Sequence, residues 1–197
     1  MARLVYNFDK PDRFVAGTVG QPGNRSFYLQ ARDGGRIVSV LLEKVQVALV
    51  AERLTQLLDE VRERGASVPQ GPAPADIDTA PLDEPINETF RVGSMAIVWN
   101  GEDESITLEA SALGEDEEVV GDSLEIDDEE GAAADDEAGD EADESDLMRV
   151  RLDVGKALAF AQRALEIVAA GRPPCPFCGQ PLNPEGHICT RRNGFMH

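Results

Sequence analysis

LMRVRLDVGKALAFAQRALEIVAAG, residues 147–171, carries in one stretch both kinds of element that the fold is built from. Its first six residues read as a strand. Asp153 then stands where a helix N-cap belongs, its carboxylate able to take a free amide of the first turn. Ala157, Leu158, Ala161, Ala164, Leu165 and Val168 follow at three- and four-residue spacing, the stripe of an amphipathic helix, and Gly171 with Pro173 ends it. A strand passing directly into a helix, late in a chain whose earlier part is rich in strands, points to an α+β domain with helices covering one face of a sheet.

Working back towards the N-terminus, residues 4–8, 13–19, 26–32 and 36–42 read as four strands. Gly20-Gln-Pro-Gly23 and Asp33-Gly34-Gly35 supply turns, and the four strands are expected to form an antiparallel meander. Val47, Val50, Ala51, Leu54, Leu57, Leu58 and Val61 then define a long amphipathic helix, stopped by Gly65. Residues 68–85 carry five prolines and read as an extended connection. Two further strands, 90–99 and 105–110, flank Asn100-Gly101. The first is apolar on both faces, as a central strand is. The expected architecture is a mainly antiparallel sheet of about seven strands with two amphipathic helices, in a domain covering residues 1–171.

One segment stands apart. Residues 114–146 hold 18 of the 38 acidic residues, no Lys or Arg and no aromatic residue. Such a stretch has little to bury and much charge to keep in water, so it is expected to be a disordered acidic insert. It lacks the Asp-x-Asp-x-Asp-Gly order of a calcium loop. Outside it the chain is near neutrality, with 20 acids against 18 bases.

All three cysteines follow the last helix, in Cys175-Pro-Phe-Cys178 and His187-Ile-Cys189. The two-residue spacing lets a tight turn aim two sulfurs at one ion, and alternate residues of an extended segment let His187 and Cys189 face it together. Three sulfurs and one nitrogen are the tetrahedral ligand set of a structural zinc ion, with no position left for a catalytic water. Residues 172–197 are therefore expected to form a zinc-knuckle tail binding one zinc through Cys175, Cys178, His187 and Cys189. A redox-active pair would need to open a helix, whereas this pair follows one.

Other signatures are missing from the sequence. There is no Gly-x-Ser-x-Gly, no phosphate loop (Gly155-Lys156 is followed by Ala157), no Gly-x-Gly-x-x-Gly and no His-Glu-x-x-His. Arg172, Arg191 and Arg192, with Phe177 and Phe195, form only a thin basic and aromatic footprint beside an insert that repels phosphates, which disfavours nucleic acid as a partner. No stretch of about 18 uncharged apolar residues is present to span a bilayer, and no apolar leader follows the N-terminus. A cytoplasmic address without membrane attachment is expected, and the odd cysteine count fits metal-bound thiols in a reducing compartment.

The motifs at Tyr6-Asn-Phe-Asp9, residues 12–20 (DRFVAGTVG), residues 26–32 (SFYLQAR), residues 169–178 (AAGRPPCPFC), residues 186–189 (GHIC) and Asn193-Gly-Phe195 resemble an actinobacterial family of unknown function, DUF3090. The resemblance spans the chain apart from the acidic insert. It implies a small cytoplasmic protein often encoded near phosphomutase-like and kinase-like proteins, and brings no catalytic residues. The function expected from all of this is a non-enzymatic, zinc-stapled binding or adaptor protein with a protein or small-molecule partner. An enzyme or regulator in phosphorylated-metabolite chemistry, and a nucleic-acid-binding zinc protein, are the alternatives.

Overall fold

The computed structural model describes residues 3–114, 124–127, 145–171, 175–178 and 189, with 124–127 described as backbone only. Strands β1 (Val5–Phe8), β2 (Arg13–Gln21), β3 (Asn24–Asp33) and β4 (Arg36–Leu42) are followed by helix α1 (Lys44–Glu63). Strands β5 (Glu88–Asn100), β6 (Ser105–Ala112), β7 (Leu124–Asp127) and β8 (Leu147–Asp153) come next, and helix α2 (Val154–Ala169) completes the order. Seven strands lie side by side as β1-β8-β6-β5-β4-β3-β2, with β7 added against β5. The fold is α+β, and β5 occupies the centre of the sheet.

The sheet is mainly antiparallel, as expected, but it is mixed rather than wholly so. β1 with β8, β4 with β5, and β5 with β7 all pair in parallel. β2, β3 and β4 form the expected meander, with Asp33 opposite Arg36 at the second turn. β1 is not its fourth strand. It lies at the opposite end of the sheet, Tyr6 opposite Met148 of β8.

That placement forces the sheet to roll. Phe8 and Arg13, on the two edge strands, are five residues apart, at most about 18 Å of extended chain. The edges of a flat seven-stranded sheet would stand about 29 Å apart at the usual strand spacing. Arg36 of β4 shows where the rolled sheet meets β1. Its Nη1 donates to Asn7 O at 3.3 Å, and its guanidinium carbon stands 4.6 Å from the Phe8 ring centroid and 5.8 Å from that of Tyr6.

One buried cluster fills the side of the sheet on which both helices pack. Phe14, Leu29, Val40, Ile97, Leu108 and Val150 from the strands belong to it, together with every residue expected in the α1 stripe. Gln46 begins α1 by accepting the Glu43 amide through Oε1 at 2.9 Å. Gly65 ends the helix with φ at 103°, a conformation open to glycine and strained for other residues. In α2 the N-cap is as expected, Asp153 Oδ1 accepting from the Lys156 amide at 2.9 Å.

The buried face of α2 differs from the expected stripe. Ala157, Ala161 and Ala164 are buried, but Leu165 is 36% exposed and Phe160 takes the central place. The Phe160 ring stacks on Phe14 with centroids 4.7 Å apart. This turns the helix so that its face is centred on residues 157, 160, 161 and 164, and Leu165 falls outside it.

The proline-rich connection is irregular, as expected, and it is also structural. Leu82 is buried against Gly17 of β2, where a Cβ would collide with the leucine side chain. Gln30, 1% exposed, accepts the Asp83 amide at 2.7 Å and donates to Asp83 O at 3.0 Å. The meander is thus covered on both faces, by helices on one and by this connection on the other.

Within the segment expected to be disordered, four residues are a strand. Met95 to Val98 of β5 pair in parallel with Leu124 to Asp127 of β7, along an edge that β4 leaves open because it pairs only with Glu88 and Arg91. Residues 115–123 and 128–144 of the insert lie outside the described residues. The insert enters and leaves at one point, since Ala112 donates its amide to Asp146 O at 2.7 Å while Ser111 pairs with Leu147.

Candidate metal centre

α2 delivers the chain to the cysteines, and its last turn is tied down. Arg25, at the start of β3, donates from Nη2 to Ala170 O at 2.6 Å, and its guanidinium carbon lies 5.7 Å from the Phe27 ring centroid. Such an end satisfies a helix-terminal carbonyl with a cation. Cys175 follows five residues later.

Residues 176–178 form a turn that folds back on the first cysteine. The amides of Phe177 and Cys178 both donate to the Cys175 sulfur. This is what a metal-binding Cys-x-x-Cys turn needs, because amide donors spread the charge of a thiolate. Burial pushes the Cys175 thiol up, but the amides of Cys178 and Phe177, with the Cys178 and Cys189 thiols, outweigh it and leave its pKa lowered.

Cys189 joins them. The sulfurs of Cys175, Cys178 and Cys189 lie within 4.8 Å of one another, and Cys175 Sγ is 3.9 Å from Cys189 Sγ. Ligands about 2.3 Å from a tetrahedral zinc stand about 3.8 Å apart, whereas a disulfide would bring them to about 2.05 Å. The three sulfurs are in no disulfide and stand at metal-ligand spacing. Cys175 and Cys189 are buried, at 3% and 0% exposure, Cys178 is half-buried, and Phe177 between the first two is 48% exposed. The cluster can hold a metal ion.

Three of the four residues expected as ligands are therefore brought together. His187 lies outside the described residues, as do Arg172, Arg191, Arg192 and Phe195 of the basic and aromatic flank. No helix among the described residues is long and apolar enough to cross a membrane.

A second polar centre was not legible from spacing. Arg13, 8% exposed, donates Nε to Asp78 Oδ2 at 2.5 Å, Nη2 to Asp78 Oδ1 at 3.0 Å and Nη1 to Asp83 Oδ2 at 3.1 Å. Its Nη2 also reaches Ala80 O and Pro81 O, at 2.9 and 2.8 Å. Arg163 of α2 adds Asp78 Oδ1 at 3.0 Å, Ala80 O at 2.7 Å and Ala16 O at 2.7 Å. Hydrogen bonds from Arg13 hold the Asp78 carboxyl below its ordinary pKa against the opposing effect of burial. Burial lowers the pKa of Arg163, with the neighbouring Arg13 charge acting the same way. These partners are 65 to 147 residues apart, so no local pattern announces them.

No curated protein and no solved structure matches the chain. A family model described as protein of unknown function (DUF3090) matches residues 6–189, a span that runs from β1 through the last cysteine. The chain therefore belongs to the DUF3090 family.

Proposed function

We propose that this chain is a zinc-stapled binding or adaptor protein rather than an enzyme. The observation that carries this reading is the sulfur geometry, with Cys175 Sγ and Cys189 Sγ 3.9 Å apart and amides of Phe177 and Cys178 directed at Cys175. Soft thiolates at that spacing select zinc over hard cations, which take oxygen ligands. His187 supplies the fourth ligand in this reading, and a closed set of four leaves no site for a reacting water.

The tail after α2 is too short for a core of its own, so metal binding and tail folding are one event. The ion then acts on function by fixing the surface around Phe177, in a protein of the reducing cytoplasm whose partner is a protein or a small molecule. Elemental analysis of the purified chain tests this, together with melting before and after a zinc chelator. One zinc per chain and a lower melting temperature after chelation are expected. Zinc-free protein of unchanged stability would overturn the reading.

A further inference from the structure

A cavity of about 150 Å³ lies away from the cysteines, between the start of β2, the first turns of α2 and the connection around residue 76. The DRF motif at residues 12–14 converges there: Asp12, Arg13 and Phe14 all line it. Phe160 closes one wall, stacked on Phe14. At this size the space suits a ligand of only a few heavy atoms, well below the cavities that take drug-sized molecules.

The charges around it are ordered. Asp12, Asp76 and Asp78 face Arg13, Lys156 and Arg163 across the lining, three of each sign. Arg13, Arg163 and Asp78 satisfy one another, and Asp12 Oδ2 accepts the Gly34 amide at 2.8 Å. Asp12, Lys156 and Asp76 have no ion-pair partner among the described residues, and the Gly34 contact turns Asp12 towards the β3–β4 turn. Lys156 Nζ donates to Pro11 O at 2.9 Å, and among the described residues no carboxylate pairs with it. The half-buried Asp76 carboxylate takes no hydrogen bond or ion pair among the described residues. It sits over Gly155, where a Cβ would lie 2.8 Å from Asp76 Oδ2.

An unpaired ammonium and an unpaired carboxylate that share a cavity without reaching each other call for a ligand that carries both charges, separated. An inorganic anion would answer Lys156 and be repelled by Asp76; a simple cation would do the reverse. We propose that the cavity binds a small zwitterion of the amino-acid class, its carboxylate at Lys156 and its ammonium at Asp76, over the Phe14 and Phe160 rings. The two guanidiniums, locked on Asp78, hold the walls in place. The cavity itself is lined by equal numbers of each sign, so a neutral molecule with two charged ends enters without leaving a surplus.

Titration calorimetry of the full chain with glycine, L-alanine and β-alanine tests this, with propionate, ethylamine and inorganic phosphate as single-ended controls. Saturable binding of at least one zwitterion, tighter than about 1 mM, is expected, and none of the single-ended compounds should match it. Asp76→Asn and Lys156→Gln should each weaken binding at least about tenfold, the loss of one charge-assisted contact. Gly155→Ala separates site from fold. Alanine is the better helix former, so this variant should melt no lower than the parent while the displaced Asp76 carboxylate loses the ligand. Absence of saturable binding by all three zwitterions, equal binding by phosphate or propionate, or parent-like binding by Gly155→Ala and Asp76→Asn would each overturn the proposal.

Discussion

Arg13 and Asp78 join across 65 residues of chain through two contacts, Nε to Oδ2 at 2.5 Å and Nη2 to Oδ1 at 3.0 Å, so the first long strand grips the proline-rich connection by its carboxylate. Arg13 is 8% exposed and Asp78 31%, which puts the pair between the surface and buried limits. Asp78→Asn should therefore cost about 2–3 kcal/mol at neutral pH, measured by denaturant unfolding. The sign of the pH dependence follows from the lowered Asp78 pKa. A carboxyl whose folded pKa is depressed contributes its stability in full above the unfolded value, about 3.9, and loses it as pH falls through the folded one. The gap between parent and Asp78→Asn should close over that acid range. A gap that persisted at the acid end would show that the carboxylate charge is not what matters.

Phe160 and Leu165 give a second test, because the helical pattern alone misplaces both. Phe160 is 2% exposed and stacked on Phe14, so Phe160→Ala should cost about 3–5 kcal/mol, losing both transfer free energy and packing. Leu165, 36% exposed, should accept Gln within about 0.5 kcal/mol. Equal costs for the two substitutions would mean that α2 is rotated about its axis relative to the packing described.

The contrast shows what the sequence carries and what it does not. Periodicity located α1 with its whole buried stripe, the Asp153 cap, and the central place of β5, because each depends on neighbours within a few residues. The cysteine turn was legible for the same reason. The parallel pairing of β1 with β8 was not, because nothing local to residues 5–8 distinguishes a strand that joins its sequence neighbour from one that joins residue 147. The Arg13 network was hidden in the same way: each member is an ordinary charged residue until the roll of the sheet brings residues 13, 78, 83 and 163 together. What the sequence fails to announce here is long-range, and it is decided by tertiary closure rather than by propensity.

Arg25 ties the sheet to the end of α2 that leads to the cysteines, and if the cluster holds zinc as proposed, its loss should be felt more in zinc release than in the fold. The Arg25 to Ala170 hydrogen bond, 2.6 Å and exposed, contributes about 0.5–1 kcal/mol, so Arg25→Ala should leave global unfolding nearly unchanged. Loosening the end of α2 by that amount should speed zinc release to a chromogenic chelator by about two- to fivefold. Cys175→Ser, which removes one of the three clustered thiols, should prevent stoichiometric zinc retention if the proposed site is right. Release rates equal to the parent in Arg25→Ala would mean that the lobe is held by the ion alone.

The acidic insert should be removable. Ala112 and Asp146 are hydrogen-bonded at 2.7 Å and β6 and β8 are in antiparallel register up to Ser111 and Leu147, so the insert is the loop of a hairpin whose ends already meet. Replacing residues 115–144 with a four-residue Gly-Asn linker shortens that loop about fivefold, which favours closure by about 1.4 kcal/mol. It also removes 17 carboxylates, and with them a source of self-repulsion. Against this stands the loss of β7, a four-residue strand on one edge of β5. The loop and charge effects outweigh so short a strand, and the shortened protein should melt at or above the parent temperature. Its Met95–Val98 segment should meanwhile exchange amide hydrogens faster, since the edge that β7 covers is then bare. Faster exchange there with unchanged melting would locate the role of Leu124–Asp127 at that edge, and a large drop in melting temperature would show instead that β5 depends on β7 to fold.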